Sequence, residues 1–163
     1  VDRARYADFK AVNGRKVLSN FTRCQIVVGG RQYPSVEHAF HAGKALLMEN
    51  MKEAVKFEVG GEYADMKGCT VKSKGGRNGG IGDMTKKFIV HPATNQRHSA
   101  ITVWDMTESA RVMNEAIRAR ASVDKLFRMA LVSTGKAILV HQTRGVQDER
   151  LSKLLHKLRD ELQ

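Results

Sequence analysis

The sequence predicts a helix-rich α+β fold with a small β-sheet, in a single domain that covers residues 1–163. Apolar residues recur with the 3.6-residue period of a helix over long segments, whereas the strand-like runs are short and few. The elements follow the order β, α, loop, α, α, β, α, which lacks the regular alternation of a doubly wound sheet. A chain of 163 residues is long enough to bury one hydrophobic core.

The first elements are a strand pair and a helical segment. Ile26, Val27 and Val28 favour a strand, and the pair Gly29-Gly30 favours a turn before the next strand. Segment 36–57 predicts one or two helices that begin after Ser35 as the N-cap. The expected inner stripe of these helices consists of Val36, Phe40, Leu47 and Met51.

The middle of the chain predicts a loop. Eight glycines interrupt residues 60–82, and a short helix is expected only near 63–67. Lys72, Lys74 and Arg77 flank these glycines, but the spacing is not that of a phosphate-binding P-loop. A basic surface loop is therefore favoured, and a mobile lid over a site is the alternative.

The second half predicts two helices, a strand and a closing helix. Thr107 is the expected N-cap of the first helix, and Gly135 is expected to end the second. Segment 136–142 predicts a strand, and 148–163 an amphipathic helix. The expected inner positions are Ala110, Met113, Ala116, Ile117, Leu126, Phe127, Ala130 and Leu131, then Leu151, Leu154, Leu155, Leu158 and Leu162.

Charge and composition favour an anionic partner. The net charge is +11 and the pI about 10.0, with the basic residues spread along the chain, which suits phosphates, nucleotides or nucleic acid. Cys24 and Cys69 form no disulfide framework, so reduced thiols are expected. No apolar run approaches the roughly 18 residues of a membrane span, and the first residues lack a signal-peptide pattern. We therefore expect a cytoplasmic protein with no membrane partner.

The stretch YPSVEHAFHAGKA, residues 33–45, contains the main candidate for chemistry. At about 100° per residue, Glu37, His41 and Lys44 share one helical face, whereas His38 points elsewhere. An acid and an amine that meet at one ligand atom suit proton transfer or a covalent imine. Spacing alone also fits a solvent-exposed, salt-linked face, and it favours that simpler interpretation.

A metal site is not predicted. His38 and His41 are three residues apart, and Cys24 or Cys69 could join them, but the repeated spacing of zinc sites is missing. Trp104, which Asp105 follows, is expected either in the core or stacked on a ligand ring.

The segment LSNFTRCQIVVGGRQYPSVEHAFHAGKA, residues 18–45, resembles the signature of the YbiA-like family, also called NADAR. The positions that match are Leu18, Ser19, Asn20, Phe21, Tyr33, Pro34, Val36, Glu37, His38, Phe40 and Lys44. Trp104, Val112-Met113, residues 131–135 and residues 139–140 follow in the order of the family.

Three departures from the family pattern stand out. His41 replaces the usual Gln, and His141 stands where an acidic residue is common. The segments D-x-x-W-G and G-x-N-x-L-G before the last helix are missing, so we expect a compact variant with a shortened C-terminal region.

The resemblance implies cleavage of the N-glycosidic bond between a phosphorylated ribose and a base. One family branch removes ADP-ribose from modified guanine bases, and the other removes ribose phosphate from riboflavin-pathway intermediates. The positive charge favours the first branch, with ADP-ribose, free or on nucleic acid, as the partner. A non-catalytic ADP-ribose-binding module and a basic nucleic-acid binder are the alternatives.

The resemblance also implies residue roles, without a cofactor or a metal. Lys44 is the expected nucleophile or C1-stabilising group, and Glu37 the general acid/base. Asn20 is expected to position a ribose hydroxyl or the base. The other expected substrate-binding residues are Phe21 and Trp104 for stacking, Arg23 and Arg77 for phosphates, and His38, His41 and Asp105.

Overall fold

The computed structural model describes residues 17–140, 142–143, 146–147 and 149–163, and it confirms the helix-rich α+β fold. The helices are α1 (Val36–Leu47), α2 (Met51–Ala54) with a 3₁₀ turn at Val55–Phe57, α3 (Gly68–Lys74), α4 (Ala100–Val103), α5 (Ser109–Val123), α6 (Lys125–Ser133) and α7 (Glu149–Leu162). A π-helical segment, Trp104–Glu108, joins α4 to α5. His141 lies outside the described residues.

The described strands form three separate antiparallel pairs instead of one small sheet. They are β1 (Ile26–Val28) with β2 (Arg31–Tyr33), β3 (Phe88–Val90) with β4 (Arg97–Ser99), and β5 (Gln142–Thr143) with β6 (Val146–Gln147). Each of these strands has two or three residues. The Gly29-Gly30 turn that the sequence predicted is confirmed, with φ values of 59° and 77°.

Helix α1 contacts α2, α3, α5 and the 3₁₀ turn, and small residues allow this close packing. Ala39, Ala42 and Ala45 are buried, and a Cβ at Gly43 would lie 2.9 Å from Val112 and 3.2 Å from Trp104.

The inner stripe that the sequence predicted for α1 and α2 is only partly correct. Val36 is fully buried, but Met51 is 43% exposed. Because neighbours cover α1 on several sides, its polar residues Glu37, His38 and His41 are buried as well.

The glycine-rich region contains a helix that the sequence did not predict. Residues 62–65 form turns instead of the expected helix, and α3 begins at Gly68, in the predicted loop. Val71 is fully buried where α3 contacts α1. Tertiary packing thus outweighs the low helix propensity of the flanking glycines.

Two predictions in the second half are wrong. The helical region begins at Ala100 and not after Thr107. Ser99 is its N-cap, because the Ser99 side chain accepts a hydrogen bond from the Thr102 backbone N–H at 3.4 Å. Residues 137–140 have no regular secondary structure, and of the predicted segment 136–142 only Gln142 belongs to a described strand, β5. Their backbone pairs with α7 side chains instead: Leu139 N donates to His156 Nε2 at 2.9 Å, and Ser152 Oγ donates to Leu139 O.

The remaining predictions for the second half are confirmed in part. Gly135 has φ of 59° directly after α6, as a C-terminal glycine should. Leu151 and Leu158 of α7 are buried, whereas Leu126 of α6 is 63% exposed. None of the helices in the described part of the chain combines the length and apolar character that crossing a bilayer requires.

Arg120 of α5 ties the segment before β1 to the helices. Its guanidinium is fully buried, and Nη1 donates to Ser19 O at 2.8 Å while Nη2 donates to Val17 O. Nε pairs with Asp124 at 3.1 Å, and the charged group lies 4.4 Å from the centre of the Phe127 ring. One buried cation therefore fixes the segment that leads into the LSNF motif.

We expect Arg120→Met to lower the free energy of unfolding by about 3–5 kcal/mol, because Asp124 and two carbonyls would lose a buried partner. Urea denaturation measures this change. Arg118→Met on the same helix is the control, because it removes a surface pair with Glu161 and a hydrogen bond to Asn114, and it should change stability by less than about 1 kcal/mol. Equal effects of the two substitutions would contradict the anchoring role.

Candidate active site

Glu37 and His41 form a buried acid–imidazole pair on α1. His41 Nε2 lies 2.8 Å from Glu37 Oε1, and the two side chains are 3% and 10% exposed. Glu37 is in the first turn, which Ser35 caps by accepting from His38 N at 3.2 Å. The positive end of the helix dipole favours a carboxylate at this position.

The geometry of the ring of His41 assigns its tautomer. Nδ1 is buried without a hydrogen-bond partner among the described residues, and a Cβ at Gly75 would overlap the ring. A proton on Nδ1 would be a buried donor without an acceptor, which is costly. Nε2 therefore carries the proton and donates a hydrogen bond to Glu37 Oε1.

Electrostatics support a neutral His41. Burial lowers the pKa of the imidazole below its ordinary value, and the nearby Lys44 and Lys72 cations lower it further. The hydrogen bond to Glu37 opposes this shift without cancelling it.

Lys44 lies in an aromatic and partly apolar environment. Its Nζ donates to Gly75 O at 3.2 Å and lies 5.5 Å from the Phe40 ring and 5.9 Å from the Trp104 ring. Burial lowers the pKa of this amine; Glu37 and Asp105 partly offset the effect, whereas Lys72 adds to it. A larger fraction of Lys44 is therefore neutral, and nucleophilic, than of a surface lysine.

Trp104 and Asp105 occupy the first two positions of the π-helical segment. Trp104 is buried and packs against Phe40 at 5.1 Å between ring centres, so it acts as a wall of the lysine environment. Asp105 is exposed, yet close enough to influence Lys44. Such π-segments are frequent at functional sites, and no residue pattern predicts this one.

Asn20 contacts Glu37, and its neighbour Phe21 packs on the start of α3. The Asn20 backbone O accepts from Glu37 N at 3.1 Å, and its side-chain Nδ2 lies 3.6 Å from Met113 Sδ. Phe21 is 44% exposed, and its ring packs against Gly68 so closely that a Cβ there would overlap it. The ring of Phe21 is thus exposed, whereas that of Trp104 is not.

His38 and Arg23 are engaged within the protein. His38 is buried, with Nδ1 2.6 Å from Ser35 Oγ and Nε2 2.9 Å from Tyr63 O, and burial lowers the pKa of its ring. Arg23 donates to Ala64 O and, at 2.6 Å, to Met66 O. Both side chains thus hold the turn at 62–65 against the rest of the fold.

The described contacts of Arg23 and Arg77 are with residues outside the Glu37 cluster. Arg23 lines a separate cleft of about 320 Å³ together with Cys24, Pro34 and Asp65. Arg77 is exposed after α3, where its charge acts on Asp83.

Lys72 and Gly75 are the residues that sequence reasoning did not assign to the site. Lys72 is exposed on α3, and its charge acts on both His41 and Lys44. The stretch KSKGG contains both residues, but only the packing of α3 on α1 places them at the site.

The arrangement suits acid–base or nucleophilic chemistry. One ionisable acid and one amine of lowered pKa lie on one helical face, beneath α3. His38 and His41 direct their ring nitrogens to different partners, and within the described residues no three His, Cys, Asp or Glu side chains form a group that could hold a metal.

The comparison with known structures identifies the fold. The NMR structure of the E. coli protein YbiA is similar to this chain, with a TM-score of 0.58 and 23% sequence identity over 90% of this chain and 77% of YbiA. This confirms the YbiA-like fold that the sequence motif predicted. No protein-family model matches the chain, and no curated protein matches it.

The contact between Gly75 and His41 gives a prediction for stability. We expect Gly75→Ala to lower the free energy of unfolding by about 1–3 kcal/mol, because the added methyl would overlap a buried ring. Gly76→Ala is the matched control: its Cβ would have Ser73 O at 3.3 Å as the nearest atom, and we expect a change below about 1 kcal/mol. Urea denaturation that ranks the two variants equally would contradict the close approach.

Proposed function

We propose that the chain is an N-glycosidase that hydrolyses the bond between C1 of a phosphorylated ribose and a base. ADP-ribosylated guanine, in nucleic acid or as a nucleotide, is the proposed substrate. The observation that carries this proposal is the placement of Lys44, whose pKa is lowered chiefly by burial, on the same helical face as the buried Glu37. The YbiA-like fold agrees with it.

Lys44 and Glu37 can carry out the reaction through a covalent intermediate. The neutral Nζ forms a bond to C1, while the C1–N bond breaks with its electron pair on the base. Glu37 takes the proton that Nζ loses and delivers it to the base, which leaves neutral. The ribose ring then opens to an imine by moving the second Nζ proton to the ring oxygen, and water cleaves the imine to release ADP-ribose and the free amine.

A non-covalent version uses the same two groups differently. The Glu37 carboxylate activates a water molecule, and its charge stabilises the cation that develops at C1. Lys44 would then hold a ribose or phosphate oxygen as a cation. The covalent version requires a neutral amine, and the lowered pKa of Lys44 therefore favours it.

We propose a substrate with more than one phosphate, because positive charge lies beside the Glu37–Lys44 cluster. Residues 67–87 contain six lysines and arginines and one acidic residue, Asp83. Lys72 belongs to this segment and acts on Lys44. Since Arg23 is occupied by two carbonyls, Lys72 and Arg77 are the better candidates for a diphosphate.

Asn20, Phe21 and Asp105 have proposed roles at the rim. The exposed ring of Phe21 suits stacking on the base. The Asn20 amide and the Asp105 carboxylate suit ribose hydroxyls, which need one donor or one acceptor each.

Borohydride treatment during turnover tests the covalent version. We expect trapping of a ribosyl adduct on wild-type protein and none on Lys44→Met. The yield should rise with pH as the amine is deprotonated, at lower pH than for an ordinary lysine with a pKa of 10.5, because burial lowers the pKa of Lys44. Lys52→Met, an exposed lysine on α2, is the control and should trap normally.

Turnover measurements complete this test. Glu37→Gln should lower kcat by roughly 10²–10⁴-fold, the usual effect of removing a general acid or base. Full activity in Lys44→Met would exclude the covalent version, and full activity in Glu37→Gln would exclude the acid–base role.

Parallel assays of two substrates test the proposed class. We expect release of ADP-ribose from an ADP-ribosylated guanine nucleotide or oligonucleotide to be faster than cleavage of a phosphoribosylamino riboflavin intermediate, measured as kcat/KM. The reverse order would assign the chain to the riboflavin branch. Tight binding of ADP-ribose without turnover over hours, equal in Glu37→Gln and Lys44→Met, would instead identify a binding module.

A further inference from the structure

We infer that His41 is a positioning residue that fixes the Glu37 carboxylate through its Nε2–H and directs the second carboxylate oxygen to the substrate. This inference rests on the proposed function for its catalytic meaning. The sequence motif had suggested a substrate-binding role for His41. The structure argues against direct contact with substrate, because the side chain is only 3% exposed.

The first support is the hydrogen bond between the imidazole and the carboxylate. His41 Nε2 is bonded to Oε1 of Glu37 at 2.8 Å, which leaves Oε2 outside this bond. The Glu37 side chain keeps about a tenth of its surface exposed. A carboxylate that one oxygen holds in place keeps the other oxygen for a second partner, and a general base requires such a defined reactive atom.

The second support is the rigidity of the imidazole. Gly75 lies against the ring so closely that a Cβ there would overlap Nδ1. The Phe40 ring lies at 5.4 Å in an edge-on arrangement, and the Phe57 ring at 6.4 Å. These contacts, from α1, the C-cap of α3 and the 3₁₀ turn, pack the ring on several sides and disfavour its rotation.

The third support is the buried nitrogen without a partner. Among the described residues, nothing hydrogen-bonds to Nδ1 of His41. The charged groups that face the ring are Glu37 and Lys44 from α1 and Lys72 from α3, while Phe57 contributes no charge. Burial and the two cations favour the neutral form of the ring, which carries one proton. Because Nδ1 has no described acceptor, that proton lies on Nε2.

These observations give the pair a defined order. The imidazole donates, the carboxylate accepts, and the amine of Lys44 lies one turn further along the same helix. His41 does not touch the reacting atoms in this arrangement. Its removal should therefore affect the rate of the chemical step more than the affinity for substrate.

Two substitutions separate donation from bulk. His41→Leu retains an apolar side chain but removes the donor, and we expect kcat to fall on the order of tenfold to a hundredfold with little change in KM. His41→Gln retains an N–H that can reach Glu37, and we expect it to recover a substantial part of kcat. Urea denaturation of both variants checks that the difference does not follow from stability.

Nitrogen-15 NMR of the histidine rings tests the contact without turnover. We expect His41 in wild-type protein to be neutral near pH 7, with the proton on Nε2, and its Nε2 signal to move in Glu37→Gln. His98→Gln, on the separate β3–β4 pair, is the control and should leave the His41 signals unchanged.

The outcomes distinguish this inference from the proposed function. A proton on Nδ1, or a Nε2 signal that ignores Glu37→Gln, would overturn the positioning role even if the enzyme is active. Wild-type kcat in His41→Leu would overturn it as well. Wild-type protein that shows the expected tautomer but cleaves neither substrate would leave the contact standing and overturn the proposed function alone.

Discussion

The approach of α3 to α1 at Gly75 is the contact on which the site depends. Its backbone lies against the His41 ring, and its carbonyl accepts the hydrogen bond of Lys44 at 3.2 Å. Without this cover, the polar face of α1 would be solvated, and its charges would be screened by water. Because Gly75 has no side chain, the backbone at the end of α3 can lie close to α1 and exclude water from this polar face.

Desolvation gives the two basic groups beneath α3 different chemical roles. Burial lowers the pKa of both His41 and Lys44, so it shifts each group toward its neutral form. For His41 the neutral form is a donor to Glu37, whereas for Lys44 it is a nucleophile. The carboxylate of Glu37 opposes both shifts. Its presence therefore sets how far each base can be neutralised.

The sequence motif predicted the acid–amine pair but not the structure around it. Helical spacing places Glu37, His41 and Lys44 together in any helix, because that relation is local. The covering helix α3 lies in a glycine-rich stretch where local propensity favours a loop, and only packing on α1 makes it helical. The π-segment at Trp104 arises between two helices and leaves no signature in the residue pattern.

The motif also combines two roles that the sequence cannot separate. Glu37 and His38 are neighbours, yet His38 braces the turn at Tyr63 while Glu37 faces the amine. The same helix therefore contains both the brace and the reactive group. Because α3, with Lys72, covers this helix and also carries part of the basic stretch 67–87, an anion bound there would lie beside Lys44. Such an anion would raise the pKa of the amine, so phosphate binding and nucleophilicity oppose each other unless Lys72 neutralises the charge.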